Sequence, residues 1–166
     1  MNHEHQDSGD TEKYTPVEIV EAARVAMGGI DLDPASCAKA NEVVRASKYY
    51  TREDDGLQRS WGGRVFLNHP FARGQNHLWI DKLVCQYLSG DIESACCITW
   101  ASMPDGWMIP LLQFPQCFPH KRVNYRLPDG AIQRGAPKGS VITYLGPDQQ
   151  RFAEAFRHIG TVKVAL

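Results

Sequence analysis

The chain has 166 residues, of which 43% are hydrophobic, and a formal net charge of -1, values that fit one ordinary globular domain with its own core. No run approaches the roughly 20 apolar residues of a membrane-spanning helix, and the polar stretch 1–13 lacks the apolar run of a signal peptide, so we expect a soluble cytoplasmic protein that makes no membrane contact. The near-neutral total conceals an asymmetry: residues 1–60 carry 12 acidic and 7 basic side chains, whereas 116–138 carry Lys121, Arg122, Arg126, Arg134 and Lys138 against Asp129 alone.

Residues 1–13 read as a flexible tail, and 14–166 as a single domain. Thr15-Pro16 looks like a helix start, with Thr15 as N-cap, Pro16 at the first helical position and Glu18 closing a capping box. This helix is predicted to reach Met27 and stop at Gly28-Gly29. A short strand over 30–33 meets Pro34, a helix follows over 35–46, and 47–50 reads as a short strand or extended turn. Val65-Phe66-Leu67 reads as a buried strand leading into Asn68-His69-Pro70-Phe71. Next comes a long amphipathic helix with Trp79, Ile80, Leu83, Val84, Tyr87 and Leu88 at helical spacing. A buried strand over 95–100, a turn at Pro104-Asp105-Gly106 and a helical stretch at 107–112 lead to a strand near Cys117-Phe118. The basic, turn-rich segment separates it from a strand over 141–145, a helix over 149–158 and a last strand over 161–165. Strands alternating with helices predict an α/β fold, Rossmann-like, with a mostly parallel sheet and helices on both faces.

The five cysteines form no CxxC pair, and His69, His77, His120 and His158 have no ligand spacing, so no metal is expected. Cys96 and Cys97 read as small buried thiols. Trp61 and Trp79 read as packing residues more than as base-stacking platforms. Neither phosphate-cradling glycine motif is present, which weighs against donors that carry phosphates.

Sites in such folds lie at the carboxyl ends of strands, which points to two places. At the first, Asp31 and Asp33 alternate along the strand, and a carboxylate there can accept hydrogen bonds from a ribose or an ammonium group. At the second, the Asn68 side-chain oxygen and the carbonyl of His69 can both accept from an exocyclic amine while Phe71 stacks on its ring. Pro70 biases residue 69 toward an extended conformation and so aims that carbonyl. For both motifs a structured turn is the competing reading. The basic segment is either a phosphate-contacting surface or a solvated loop.

In order along the chain stand Thr15-Pro16, Gly29-Ile30-Asp31-Leu32-Asp33-Pro34-Ala35-Ser36, Tyr49-Tyr50-Thr51, Glu53-Asp54-Asp55-Gly56-Leu57, Trp61, Asn68-His69-Pro70-Phe71 and Thr143-Tyr144-Leu145-Gly146-Pro147. In this order they resemble the phage-type (Dam-like) DNA N6-adenine methyltransferases over nearly all of 14–166. The resemblance implies an S-adenosylmethionine-dependent methyltransferase that acts on the N6 amine of a DNA adenine flipped out of the duplex, with no metal and no covalent protein intermediate. It also implies a phage or prophage source and a role such as protection from restriction. Asp33, Pro34 and Ser36, with Asp31, would form the cofactor site. Thr15 and Pro16 would cover its methionine end, and Asp55 or Asp54 would approach its adenine. Asn68, Pro70 and Phe71 would match the catalytic motif Asn-Pro-Pro-Tyr/Phe, and Arg73, Lys121, Arg122, Arg126, Arg134 and Lys138 would meet DNA.

The departure is His69, where that family has proline. It restores a backbone N–H and frees the backbone angle, yet keeps the carbonyl. Retained adenine methylation, a changed amine or base substrate, and a folded but weakly active or inactive relative that binds S-adenosylmethionine or DNA are the three outcomes. The imidazole acting as a base or phosphate contact ranks below them. No large separate target-recognition domain fits in the chain, so we expect base readout to come from loops or a second copy, or to be permissive. The sequence does not distinguish a monomer from a homodimer.

Overall fold

The computed structural model describes residues 12–72, 74–102, 105–134 and 136–164. Seven strands make one sheet: β1 (Leu32–Asp33), β2 (Lys48–Tyr49), β3 (Gly63–Leu67), β4 (Ile92–Trp100), β5 (Gln116–Pro119), β6 (Ser140–Leu145) and β7 (Gly160–Lys163), in the order β2-β1-β3-β4-β6-β5-β7. The four helices are α1 (Val17–Met27), α2 (Ala38–Val44), α3 (Asn76–Leu88) and α4 (Gln149–Phe156), and a 3-10 helix spans Gly106–Gln113.

Alternation along each strand decides what lies on either face. Phe66, Cys96, Ile98, Ile142 and Tyr144 point to one side, where α1, α2 and α4 cover them. Val65, Leu67, Ala95, Cys97 and Leu145 point to the other, against α3 and the 3-10 helix. The registers Phe66↔Cys96 and Cys96↔Tyr144 align these rows across three strands. The vicinal cysteines therefore sit in different cores, and burial pushes both thiols up. Each fully buried Phe or Leu of these rows contributes on the order of 2 kcal/mol through area removed from water.

The sheet is mixed, which corrects the expectation of a mostly parallel one. Strands β1 to β4 run parallel, but β6 is antiparallel to β4 and β5, and β7 is antiparallel to β5. The reason is the connection: a parallel pair needs a long crossover, usually a helix, and the turn-rich segment between β5 and β6 contains none. The helix α4 supplies such a crossover, so β6 and β7 run the same way on either side of β5.

Helix boundaries hold a second correction. The N-cap of α1 is Pro16, with no side-chain cap bond, and the buried Thr15 hydroxyl has no partner among the described residues. The capping box of Thr15 and Glu18 does not form, because Thr15 faces the interior. At the other end, Gly28 takes the left-handed conformation (φ 79°) that closes α1, as Gly28-Gly29 predicted. Pro104 of the predicted turn and residues 1–11 of the predicted tail lie outside the described residues. No described helix is long and apolar enough to cross a membrane.

Candidate cofactor and substrate site

From β1 the chain moves outward to β2, then returns past β1 to β3 and on to β4. The strand order therefore reverses between β1 and β3, and ligand crevices open beyond the carboxyl ends at such switch points. A cavity of about 660 Å³ lies there, lined by residues that follow both strands. Its volume is that of a site for a medium-sized organic ligand.

Asp33 closes β1 and is only 2% exposed, with the Ala35 N–H donating to its Oδ1 at 3.2 Å. Burial pushes this carboxyl up to about 7, against the lowering influence of the Ser36 hydroxyl and the Ala35 amide. A buried carboxylate without a cation is a strong acceptor in search of donors. Pro34 and Ser36 line the cavity beside it, as does Thr15 with its unpartnered hydroxyl. Pro16 does not, being the residue that starts α1.

Asp31 is not part of the cavity. Two residues earlier, roughly 7 Å back along the strand, its carboxylate takes both arms of the Arg64 guanidinium at 2.8 Å and the Arg64 N–H at 2.8 Å. These bonds hold it below the usual carboxylate range. It joins β1 to β3 and replaces the ligand-binding role expected of it.

The second acidic pair divides in the same way. Asp54 Oδ2 accepts from the Thr51 N–H at 2.8 Å and the Thr51 hydroxyl at 2.9 Å, so it shapes the turn and lies outside the cavity lining. Asp55 lines the cavity in a left-handed conformation (φ 51°). Gly56 explains why it can: a Cβ there would lie 1.9 Å from the Pro34 carbonyl oxygen. The Asp55-Gly56 backbone is thus pressed onto the Pro34 turn, which brings two acidic loops to one wall. The glycine after two aspartates was the available signal for this contact, and sequence reasoning assigned it no role.

Asn68, His69, Pro70 and Phe71 follow β3 and line the same cavity. The Asn68 Nδ2 donates to the Lys13 carbonyl at 2.5 Å. His69 is 1% exposed, its Nε2 lies 2.8 Å from Asn76 Oδ1 at the first turn of α3, and its ring stacks on Trp79 at 6.3 Å between centroids. Burial pushes the imidazole down to about 4, with the Asn76 bond opposing, so it is neutral at pH 7. Its ring is occupied in tying the loop to α3. Phe71 rests against Trp100 at 4.7 Å and Tyr125 at 5.9 Å, two supports that the sequence motif did not name.

Trp61 and Trp79 are buried and stack at 6.0 Å, as packing residues do, although Trp79 also reaches the cavity. Lys121, Arg122, Arg126, Arg134 and Lys138 are all exposed, and none lines the cavity. Arg126 approaches it through its backbone, which pairs with Tyr14. Arg73 lies outside the described residues. Among the described residues no group of three or more His, Cys, Asp or Glu side chains could hold a metal ion.

A family model described as DNA N-6-adenine-methyltransferase (Dam) matches residues 3–102, a span that contains both strand ends and the acidic loop. The basic segment and Thr143-Tyr144-Leu145-Gly146-Pro147 lie beyond the match. No curated protein matches the chain.

Proposed function

The chain belongs to the DNA N-6-adenine-methyltransferase (Dam) family, and from that premise we propose that it moves a methyl group from S-adenosylmethionine to the N6 amine of adenine in DNA. The observation that carries this reading is one cavity lined both by the buried Asp33 carboxyl and by Asn68 to Phe71.

The residues suit the cofactor. A buried, raised carboxyl and an orphaned Thr15 hydroxyl offer an acceptor and a donor or acceptor to a ligand rich in hydroxyl and ammonium groups. Asp33, Pro34 and Ser36 would hold it with Thr15, and Asp55 would approach its base. Bound there, S-adenosylmethionine supplies an activated methyl group.

The segment from Asn68 to Phe71 does its work by positioning. Asn68 Oδ1 and the His69 carbonyl accept the two hydrogens of the target amine, and Phe71 stacks on the base with Trp100 behind it. His69 contributes its carbonyl, and its ring holds that carbonyl in place from α3. Extruding the adenine costs a few kcal/mol of stacking, which exposed cations on the duplex backbone offset by positioning it. Lys121, Arg122, Arg126, Arg134 and Lys138 are the described candidates for that contact.

The test supplies methyl-labelled S-adenosylmethionine and unmethylated double-stranded DNA of many sequence contexts, then identifies the labelled nucleoside by mass spectrometry. Labelled N6-methyladenine is expected, and it should disappear with Asn68→Ala. Label on another base means a changed substrate. No label from a folded chain that binds the cofactor means a binding-only relative; either result sinks the proposed reaction.

A further inference from the structure

The segment before α1, Glu12 to Thr15, runs as a strap along the cavity and contributes to its lining. Tyr14 N–H donates to the Arg126 carbonyl at 2.8 Å, and Arg126 N–H returns a bond to the Tyr14 carbonyl at 2.9 Å. Arg126 also bridges Ile132, so the strap is the outer member of a small antiparallel set. Lys13 Nζ donates to Gln133 Oε1 at 2.9 Å, and the Tyr14 hydroxyl lies 3.3 Å from Cys37 Sγ at the start of α2. The set is anchored underneath by buried Tyr125, whose hydroxyl lies 2.8 Å from Ser140 Oγ and whose ring packs on Phe71 and Trp100. Held in this way, the Lys13 carbonyl accepts from Asn68 Nδ2.

That one bond has a chemical consequence. A carboxamide has a donating and an accepting end, and a half-turn exchanges them. An amine substrate needs the accepting end. With Nδ2 bound to a fixed carbonyl, the Oδ1 of this cavity-lining residue is left free to accept, and among the described residues no protein group donates to it. Turned the other way, the amide would set its NH2 against the target's NH2 and lose the bond to Lys13 as well.

We propose that the strap, through the Lys13 backbone carbonyl, is a positioning element of the methyl-transfer site that orients the Asn68 amide for an amine substrate. This rests on the adenine reading given above. Because the strap is paired to the Arg126 backbone, the same element links the basic surface to the catalytic amide.

The test compares the full chain with a chain lacking residues 2–14 and with full-length Tyr14→Pro, which removes the Tyr14 N–H bond to Arg126. The first readout is the ¹⁵N-labelled side-chain amide of Asn68, identified by its loss in Asn68→Ala. The second is kcat, with and without Asn68→Asp, which puts a carboxylate oxygen against the Lys13 carbonyl. We expect the amide hydrogens to be protected from exchange in the full chain and to lose that protection in both strap variants. The kcat should fall about tenfold in those variants, the size of one hydrogen bond. Asn68→Asp should cost at least tenfold more in the full chain than in the strap-less one, a coupling that general loosening of the fold does not produce. An amide signal indifferent to the strap, or equal Asn68→Asp penalties in both backgrounds, overturns the proposal. A full chain that methylates no DNA while its Asn68 amide still depends on the strap overturns the adenine reading and leaves the contact standing.

Discussion

Asp33 and His69 line one cavity, and burial displaces both pKa values, in opposite senses for stability. The Asp33 carboxyl is raised to about 7, so the folded chain holds a proton that the unfolded chain releases near 4. Its contribution is present below pH 4 and is lost as the pH rises to 7. The His69 imidazole is lowered to about 4, so its contribution is present above 6.5 and is lost as the pH falls to 4. At roughly 1.4 kcal/mol per unit of displacement, the two largely offset between pH 4 and 7. Urea unfolding across that range should separate them. Relative to the unaltered chain, Asp33→Asn should lose stability as the solution is acidified from 6.5 to 4, and His69→Gln should gain it between 7 and 4. Parallel curves for all three chains would show that neither group titrates as its burial implies.

At the scale of elements, the site depends on how closely loops approach one another. Gly56 carries the sharpest such requirement, because any side chain would meet the Pro34 carbonyl. Gly56→Ala must separate the Asp55 loop from the Asp33 turn, at a cost of about 2–3 kcal/mol, at the upper end for overpacking. It should also weaken S-adenosylmethionine binding at least tenfold, read by calorimetry below the melting temperature. Unchanged affinity in the folded variant would mean that the Asp55 wall does not touch the cofactor. Asp31 is the complementary lesson: the same residue type, two positions away, is a brace between strands because Arg64 on β3 reaches it.

For the whole molecule, a net charge near zero coexists with a basic, exposed segment whose backbone pairs with the cavity-lining strap at Tyr14. If that segment meets DNA phosphates, each neutralised contact releases counterions. Lys121→Ala and Arg122→Ala should each reduce the slope of log binding constant against log salt by about 1, and weaken binding alike for all sequences. A slope that does not change would move the DNA surface elsewhere.

Hydrophobic spacing and punctuation determined much on their own. Each predicted helix and strand has a counterpart at nearly the expected place, since Gly28, Pro34 and the apolar runs act locally. The strand-end rule likewise led from sequence to Asp31-Leu32-Asp33-Pro34 and Asn68-His69-Pro70-Phe71, because a buried strand followed by a proline-bearing loop is a local pattern, but it did not separate Asp33 from Asp31. Tertiary structure alone decided the rest. Sheet direction beyond β4 depended on a missing crossover, and Thr15 was diverted from its cap by burial in the cavity. The ring of His69 found Asn76 seven positions on, and Asn68 found a backbone carbonyl 55 residues back. A sequence motif names the groups that can accept a hydrogen bond. Which of them remain free to do so depends on distant partners that only the folded chain brings within reach.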